Sequence, residues 1–153
     1  MPRVTMRWFF LSLVIVGFHL VCASDDLNHV PNISGSLWDA TNTVHIISRV
    51  PNNPTPLQVR CQSRDNDFGM HTLYNGQEFH WAFTENFFGT TLYFCHFYWG
   101  SEDKSFAVYD TRLSHHCPPL AESNYSNCYW EARPDGFYLS GDNQSWEKIN
   151  NWT

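Results

Sequence analysis

The chain has 153 residues, of which 17% are aromatic and 16% charged, and its formal net charge is −6. Because it is this apolar and weakly charged, we expect it to fold rather than remain disordered. Its acidity disfavours nucleic acid and anionic membranes as partners and favours a basic patch on another protein.

The first 23 residues have the features of a secretory signal peptide. Arg3 and Arg7 precede an apolar run from Trp8 to Phe18, and the small residues that a signal peptidase reads end at Ala23. This run is shorter than the roughly 20 residues that span a bilayer. We therefore predict cleavage after Ala23, secretion and no stable membrane insertion, with an uncleaved anchor as the alternative. Cleavage lowers the Lys and Arg count from 9 to 7 against 15 Asp and Glu, a formal charge of −8.

The predicted mature chain begins with a polar leader over residues 24–42, followed by a single domain over residues 43–153. The first strand is expected at Val44–Val50, because it is rich in β-branched residues and is followed by a proline-rich turn. The next strand, Leu57–Ser63, alternates with period two and should place Leu57, Val59 and Cys61 on its buried face.

Further short strands follow at intervals near ten residues. They are predicted at Phe79–Phe83, Leu92–Trp99, Phe106–Tyr109, Cys128–Arg133, Phe137–Leu139 and Ser145–Lys148. Turns are predicted at Asp65–Gly69, Asn75-Gly76, Gly100–Ser105 and Pro134–Gly136, and a long irregular loop at Asp110–Asn127. With no amphipathic helical pattern in the chain, these elements predict an all-β fold, a small antiparallel β-sandwich of about seven or eight strands.

Four cysteines remain after the predicted cleavage: Cys61, Cys95, Cys117 and Cys128. An even number of cysteines in a small secreted domain indicates two disulfides, for which three connectivities are possible. The chain has no C-x-x-C pair among these four cysteines, which disfavours a structural zinc site built on them.

The sequence contains four N-glycosylation sequons, at Asn32, Asn124, Asn143 and Asn151. Each is a predicted glycan site, and together they favour secretion because such sites are modified on secreted proteins. A fifth candidate, Asn53-Pro54-Thr55, fails because of its proline.

No catalytic motif emerges from the residues. Asp65–Asp67 lacks the glycine and glutamate spacing of a calcium loop. Cys117 follows His115-His116, but a disulfide sulfur has no thiolate to act as a nucleophile. Four carboxylates, which no motif pairs as in a glycosidase, are Glu78, Glu85, Glu131 and Asp135. We therefore predict that the protein is not an enzyme and uses no cofactor; the alternative is an unrecognised secreted hydrolase.

Seven aromatic side chains on the predicted strands allow two interpretations. They are Phe79, Trp81, Phe83, Phe94, Phe97, Trp99 and Trp130. Their period-two placement predicts core packing, whereas an exposed set would form a sugar-stacking platform. His80 and His96 alternate with aromatics on strands and are interpreted as structural.

Several ordered segments resemble the plant self-incompatibility S-protein family. The resemblance runs from Val44 to Trp146 and keeps the four cysteines in order. It is carried by Cys61–Gly69, Gly76–Phe83, Asn86–Cys95, Phe106–Asp110, Cys128–Trp130 and Asp135–Leu139. Arg64 and Asn66 stand where Lys and Asp are commoner in the family.

The resemblance implies a small secreted plant β-sandwich with two disulfides. In the founding poppy system, such a protein is the stigma determinant that meets a pollen membrane receptor and triggers rejection of self pollen. We predict a secreted ligand that presents loops to a cell-surface receptor, with a carbohydrate-binding, lectin-like module of the apoplast as the alternative. The receptor contacts are predicted at Glu102, Asp103, Lys104, His115 and His116. The disulfides are predicted to pair Cys61 with Cys128 and Cys95 with Cys117.

Overall fold

The computed structural model describes residues 42–119 and 125–153. The predicted signal peptide, leader residues 24–41, and the sequons at Asn32 and Asn124 lie outside the described residues.

Nine β-strands make up the framework of the described part. They are β1 Asn42–Ser48, β2 Leu57–Gln62, β3 Asp67–Leu73, β4 Glu78–Phe83, β5 Tyr93–Trp99, β6 Glu102–Tyr109, β7 Ser126–Arg133, β8 Gly136–Ser140 and β9 Glu147–Asn150. One 3₁₀ turn, Leu113–His116, lies between β6 and β7. Within these residues, no helix has the length and apolar character needed to cross a membrane.

The strands form two sheets. One has five strands in the order β4-β1-β7-β8-β9, and the other has four in the order β3-β2-β5-β6. Every neighbouring pair is antiparallel except β1 and β7, which run parallel with Asn42 opposite Ser126. The predicted all-β sandwich is confirmed, with one more strand than the upper expectation and one parallel pair.

The core lies between the two sheets and follows the predicted alternation. In β2, Leu57, Val59 and Cys61 are fully buried while the residues between them are exposed. The same pattern holds in β4, whose inward side chains are all aromatic. A buried hydrogen bond joins the sheets, because the indole Nε1 of Trp130 in β7 donates to the carbonyl oxygen of Val108 in β6 at 2.8 Å.

Strand β3 was not predicted, because its first residues fall in a segment with turn composition. In the structure the reversal ends sooner, and Asp67 opens the strand opposite Gln62 of β2. The Arg60 guanidinium donates Nε to Asp67 Oδ1 at 3.2 Å and also reaches the second carboxylate oxygen. This pair between neighbouring strands offsets the poor β-propensity of an aspartate.

The predicted disulfide pairing is wrong. The bonds join Cys61 to Cys95 and Cys117 to Cys128. Cys61 and Cys95 lie opposite each other on neighbouring strands of one sheet, so Cys61 is already partnered within its own layer and no bond crosses to β7. Cys128 instead holds the end of the loop that carries the 3₁₀ turn. All four sulfurs belong to buried residues.

Candidate interaction surface

The predicted receptor contacts Glu102, Asp103 and Lys104 do not lie in a turn. They form the start of β6 and pair with Trp99, Tyr98 and Phe97 of β5. Cross-strand pairing with these β-prone aromatics explains how a charged segment extends the strand. Asp103 remains exposed, and its carboxylate lies 2.9 Å from Nε2 of His96. The turn itself is reduced to Gly100 and Ser101.

The second predicted contact segment is well placed for contact with solvent. His115 and His116 end the 3₁₀ turn, and both are exposed. His116 Nδ1 lies 3.2 Å from the Glu147 carboxylate of β9. His116 also borders an open depression of about 330 Å³. Its other lining residues are Ala107, Asp110, Arg112, Leu113, Ile149 and Asn150.

The most exposed large apolar side chains in the described residues lie in the connection between β4 and β5. Phe87 is 97% exposed and Phe88 is 84% exposed. Their rings meet edge to face with centroids 5.6 Å apart. We call Asn86–Gly89 the aromatic loop. The sequence Asn86-Phe-Phe-Gly89 predicts only a bend into the next strand, and it does not indicate that the two rings are exposed.

Hydrogen bonds hold the aromatic loop in shape. The Asn86 side chain accepts from the Thr90 backbone N–H at 2.8 Å and donates to the Thr90 hydroxyl at 2.8 Å. The Gly89 N–H donates to the Asn86 carbonyl at 3.0 Å, and the Thr111 hydroxyl donates to the Gly89 carbonyl. Gly89 has a φ of +63°, a left-handed conformation that suits glycine. The two exposed rings therefore lie on an ordered turn.

The seven aromatics that could have formed a sugar platform are mostly inside. Five of them are buried: Phe79, Trp81, Phe83, Phe97 and Trp130. Phe94 faces outward on β5, and Trp99 is half-buried with its Nε1 donating to the Pro51 carbonyl at 3.2 Å. The core interpretation therefore holds for most of the set, and burial removes those five ring faces from any sugar.

The four carboxylates considered for glycosidase chemistry have separate partners. Glu78 contacts His45, and Glu85 accepts from the Tyr109 hydroxyl. Glu131 is buried and accepts from Nε of Arg49 and of Arg133, each at 2.7 Å. Asp135 accepts from the Tyr138 hydroxyl and from Lys148. Each contact stabilises its own part of the sandwich, and none places two of these carboxylates against each other.

Asp67, which lies in the segment considered for calcium, also has hydrogen-bond partners. The hydrogen bond from Arg60, together with the bond from the Gly69 N–H, lowers the pKa of Asp67 to about 2. Its oxygens therefore serve the β2–β3 connection.

Two of the predicted glycan sites lie within the described residues, and both are exposed. Asn143 lies in the turn between β8 and β9 with a φ of +58°, and Asn151 follows β9. Asp142 closes the turn that carries Asn143 by accepting from the N–H groups of Ser145 and Gln144. These bonds hold the pKa of Asp142 well below its usual value.

One group of three potential metal ligands lies on the outer face of the five-stranded sheet, within the described ranges. It consists of His45, Glu78 and His80, whose ligand atoms are all within 4.8 Å of one another. Sequence reasoning missed this group because β1 and β4 bring together residues far apart in the chain.

The described residues thus define a small all-β protein, braced by two disulfides, whose candidate functional features lie on its surface. The family model for the plant self-incompatibility protein S1 matches residues 43–152. The chain belongs to this family of small secreted plant proteins, which confirms the resemblance found in the sequence.

Relatives in Arabidopsis thaliana support the assignment. S-protein homolog 24 is 39% identical over 138 residues, covering 89% of this chain and 85% of the relative. S-protein homolog 5 is 37% identical over 81 residues, covering 53% of this chain and only 58% of the relative. A solved structure of a self-incompatibility protein homologue, from a family described as small, highly stable and secreted, aligns with a TM-score of 0.55. At 20% identity it covers 75% of this chain and 97% of its own, and it supports the fold.

Proposed function

We propose that this protein is a secreted recognition ligand that docks on a cell-surface receptor protein through its aromatic loop. The observation that carries the proposal is the near-complete exposure of Phe87 and Phe88 on a turn braced by Asn86 and Thr111. Aromatic side chains held in place before binding lose little conformational entropy, and they dominate many protein interfaces.

Other parts of the chain have supporting roles in this proposal. The mature protein begins at Ser24, carries glycans at the four sequons and has a formal charge of −8. That charge steers it toward a basic receptor surface at low salt. Glu102, Asp103, Lys104, His115 and His116 contribute polar contacts around the interface. A protein receptor is favoured over a sugar because most of the candidate stacking rings are buried.

The test compares three purified, secreted forms: wild type, F87S/F88S and Y74S. Tyr74 is a matched control, since it is an exposed aromatic in a different turn. Saturable binding to intact plant cells is measured before and after surface protease treatment of the cells. Thermal unfolding of each form checks that the substitutions leave the fold intact.

We expect wild type and Y74S to bind protease-sensitive sites and F87S/F88S to lose at least about 30-fold in affinity, roughly the cost of one hot-spot side chain. Equal binding of F87S/F88S and wild type would overturn the proposal. Binding that survives protease and is displaced by free sugar would instead favour the carbohydrate-binding alternative.

A further inference from the structure

The group formed by His45, Glu78 and His80 lies apart from the aromatic loop, on the outer face of the five-stranded sheet. His45 and His80 are direct cross-strand partners in the antiparallel pair of β1 and β4. Glu78 is two residues before His80, so both side chains leave β4 on the same face. The pairing thus gathers two imidazoles and one carboxylate on a rigid sheet.

The contacts within the group bring the ligand atoms of its three side chains close together. Glu78 Oε1 lies 2.6 Å from Nδ1 of His45 and 3.1 Å from Nδ1 of His80. The other ring nitrogen of His45, Nε2, lies 3.3 Å from the amide oxygen of Asn127. Both ring nitrogens of His45 therefore face oxygen acceptors. Nδ1 faces the Glu78 carboxylate, and a metal ion could be bound by both atoms.

We propose that His45, Glu78 and His80 form a binding site for a divalent cation of the Zn²⁺ class. Two imidazole nitrogens and one carboxylate oxygen are a donor set that Zn²⁺ accepts, with water in the fourth position. Tetrahedral ligands at about 2.0–2.2 Å from zinc lie roughly 3.4 Å from each other. The two contacts to Glu78 need to lengthen by a few tenths of an ångström to slightly under one. The ring nitrogens of His45 and His80, which lie within 4.8 Å of each other, must reach the same separation through side-chain rotation.

Neighbouring residues position the first histidine. The Tyr129 ring on β7 stacks on His45 with centroids 4.3 Å apart and an interplanar angle of 20°. Asn127 on the same strand accepts from Nε2, which leaves Nδ1 as the metal-facing atom, as supporting partners do in known sites. The His45 side chain is only 15% exposed, whereas Glu78 and His80 are 37% and 63% exposed. The site is therefore anchored on its inner side and open to solvent on its outer side.

The test is a calorimetric titration of the untagged, secreted protein with Zn²⁺, together with the visible spectrum of the protein loaded with Co²⁺. The variants are H80Q and E78Q, whose side chains are exposed enough to change without disturbing the core. The matched control is H115Q/H116Q, which removes the adjacent histidine pair of the 3₁₀ turn and leaves the proposed site intact.

We expect one Zn²⁺ per wild-type molecule and tetrahedral Co²⁺ absorption bands. Loss of one ligand in H80Q or E78Q should weaken binding by more than the roughly 10- to 100-fold that loss of a supporting partner costs. The control should bind as wild type does. Absence of binding to wild type, unchanged affinity in H80Q and E78Q, or loss of binding in H115Q/H116Q would each overturn the proposal. None of these results depends on the aromatic loop or a receptor.

Discussion

Cys61 and Cys95 lie directly opposite each other on β2 and β5, with their Cα atoms 4.1 Å apart, and their disulfide closes a sequence separation of 34. The second disulfide, between Cys117 and Cys128, closes a separation of only 11. Because the entropy removed from the unfolded chain grows with the length of the closed loop, the first bond should stabilise the fold more.

Removal of each bond tests this order. We expect C61A/C95A to lower the free energy of unfolding by about 4 kcal/mol and C117A/C128A by about 3 kcal/mol. Urea unfolding of both variants under the same conditions measures the difference. Greater destabilisation by C117A/C128A would contradict the loop-length argument, and peptide mapping without reduction checks the pairing itself.

Ser48 offers a substitution that should not weaken the protein. Its side chain is fully buried, and its hydroxyl has no hydrogen-bond partner among residues 42–119 and 125–153. S48A removes an unpaired polar group from the core, so we expect the free energy of unfolding to stay the same or rise by up to about 1 kcal/mol. The control is S140A, because the equally buried Ser140 hydroxyl donates to Asp142 at 2.8 Å. S140A should lower stability by about 1 kcal/mol, and equal effects of the two changes would refute the distinction.

Gly136 is required by both its conformation and its surroundings. Its φ is +141°, and an added Cβ would lie 2.3 Å from the Asn150 carbonyl oxygen of β9. We expect G136A to lower the free energy of unfolding by about 3 kcal/mol, since β9 must move. Gly100 is the matched control, with a φ of +62° and open space around its Cβ position. G100A should cost only about 1 kcal/mol, and chemical denaturation of both variants measures the gap.

The stabilisation that the ion pair between Arg60 and Asp67 provides should decrease at low pH. The hydrogen bond from Arg60 is the main cause of the lowered pKa of Asp67, about 2 in the folded protein against roughly 3.9 in an unfolded chain. A depressed pKa stabilises the fold above the unfolded value, and this stabilisation is lost as the pH falls through the folded value. A double-mutant cycle with R60Q and D67N should show favourable coupling at pH 7 that is lost progressively between about pH 5 and pH 1. Coupling that is unchanged at pH 2 would contradict the assignment.

Local sequence pattern was sufficient for much of the fold. Alternation of large and polar residues predicted the buried faces of β2 and β4, because a strand with one face in a core must repeat every two residues. Strand β3 could not be predicted because its first residues have the composition of a turn. Asp67 begins this edge strand, and Arg60 on the neighbouring strand donates a hydrogen bond to it. The charged residues at the start of β6 were predicted to form a turn. In the structure they extend the strand, because pairing with β5 outweighs the low β-propensity of Glu102 and Asp103.

Features that depend on long-range pairing could not be predicted. The disulfides follow the register of β2 with β5, and the group of His45 with His80 follows the register of β1 with β4. The exposure of Phe87 and Phe88 depends on where the loop emerges from the sandwich. Phenylalanine pairs look alike in a sequence whether they are inside or outside.

The parallel pairing of Asn42 with Ser126 has a consequence for biosynthesis. Strand β7 leaves the ribosome long after β1, so the centre of the five-stranded sheet cannot form until most of the polypeptide has been made. The export machinery therefore meets an open chain. We expect oxidases to reach its thiols, and the glycan-transferring enzyme to reach the predicted site Asn143, before Asp142 accepts from the Ser145 hydroxyl.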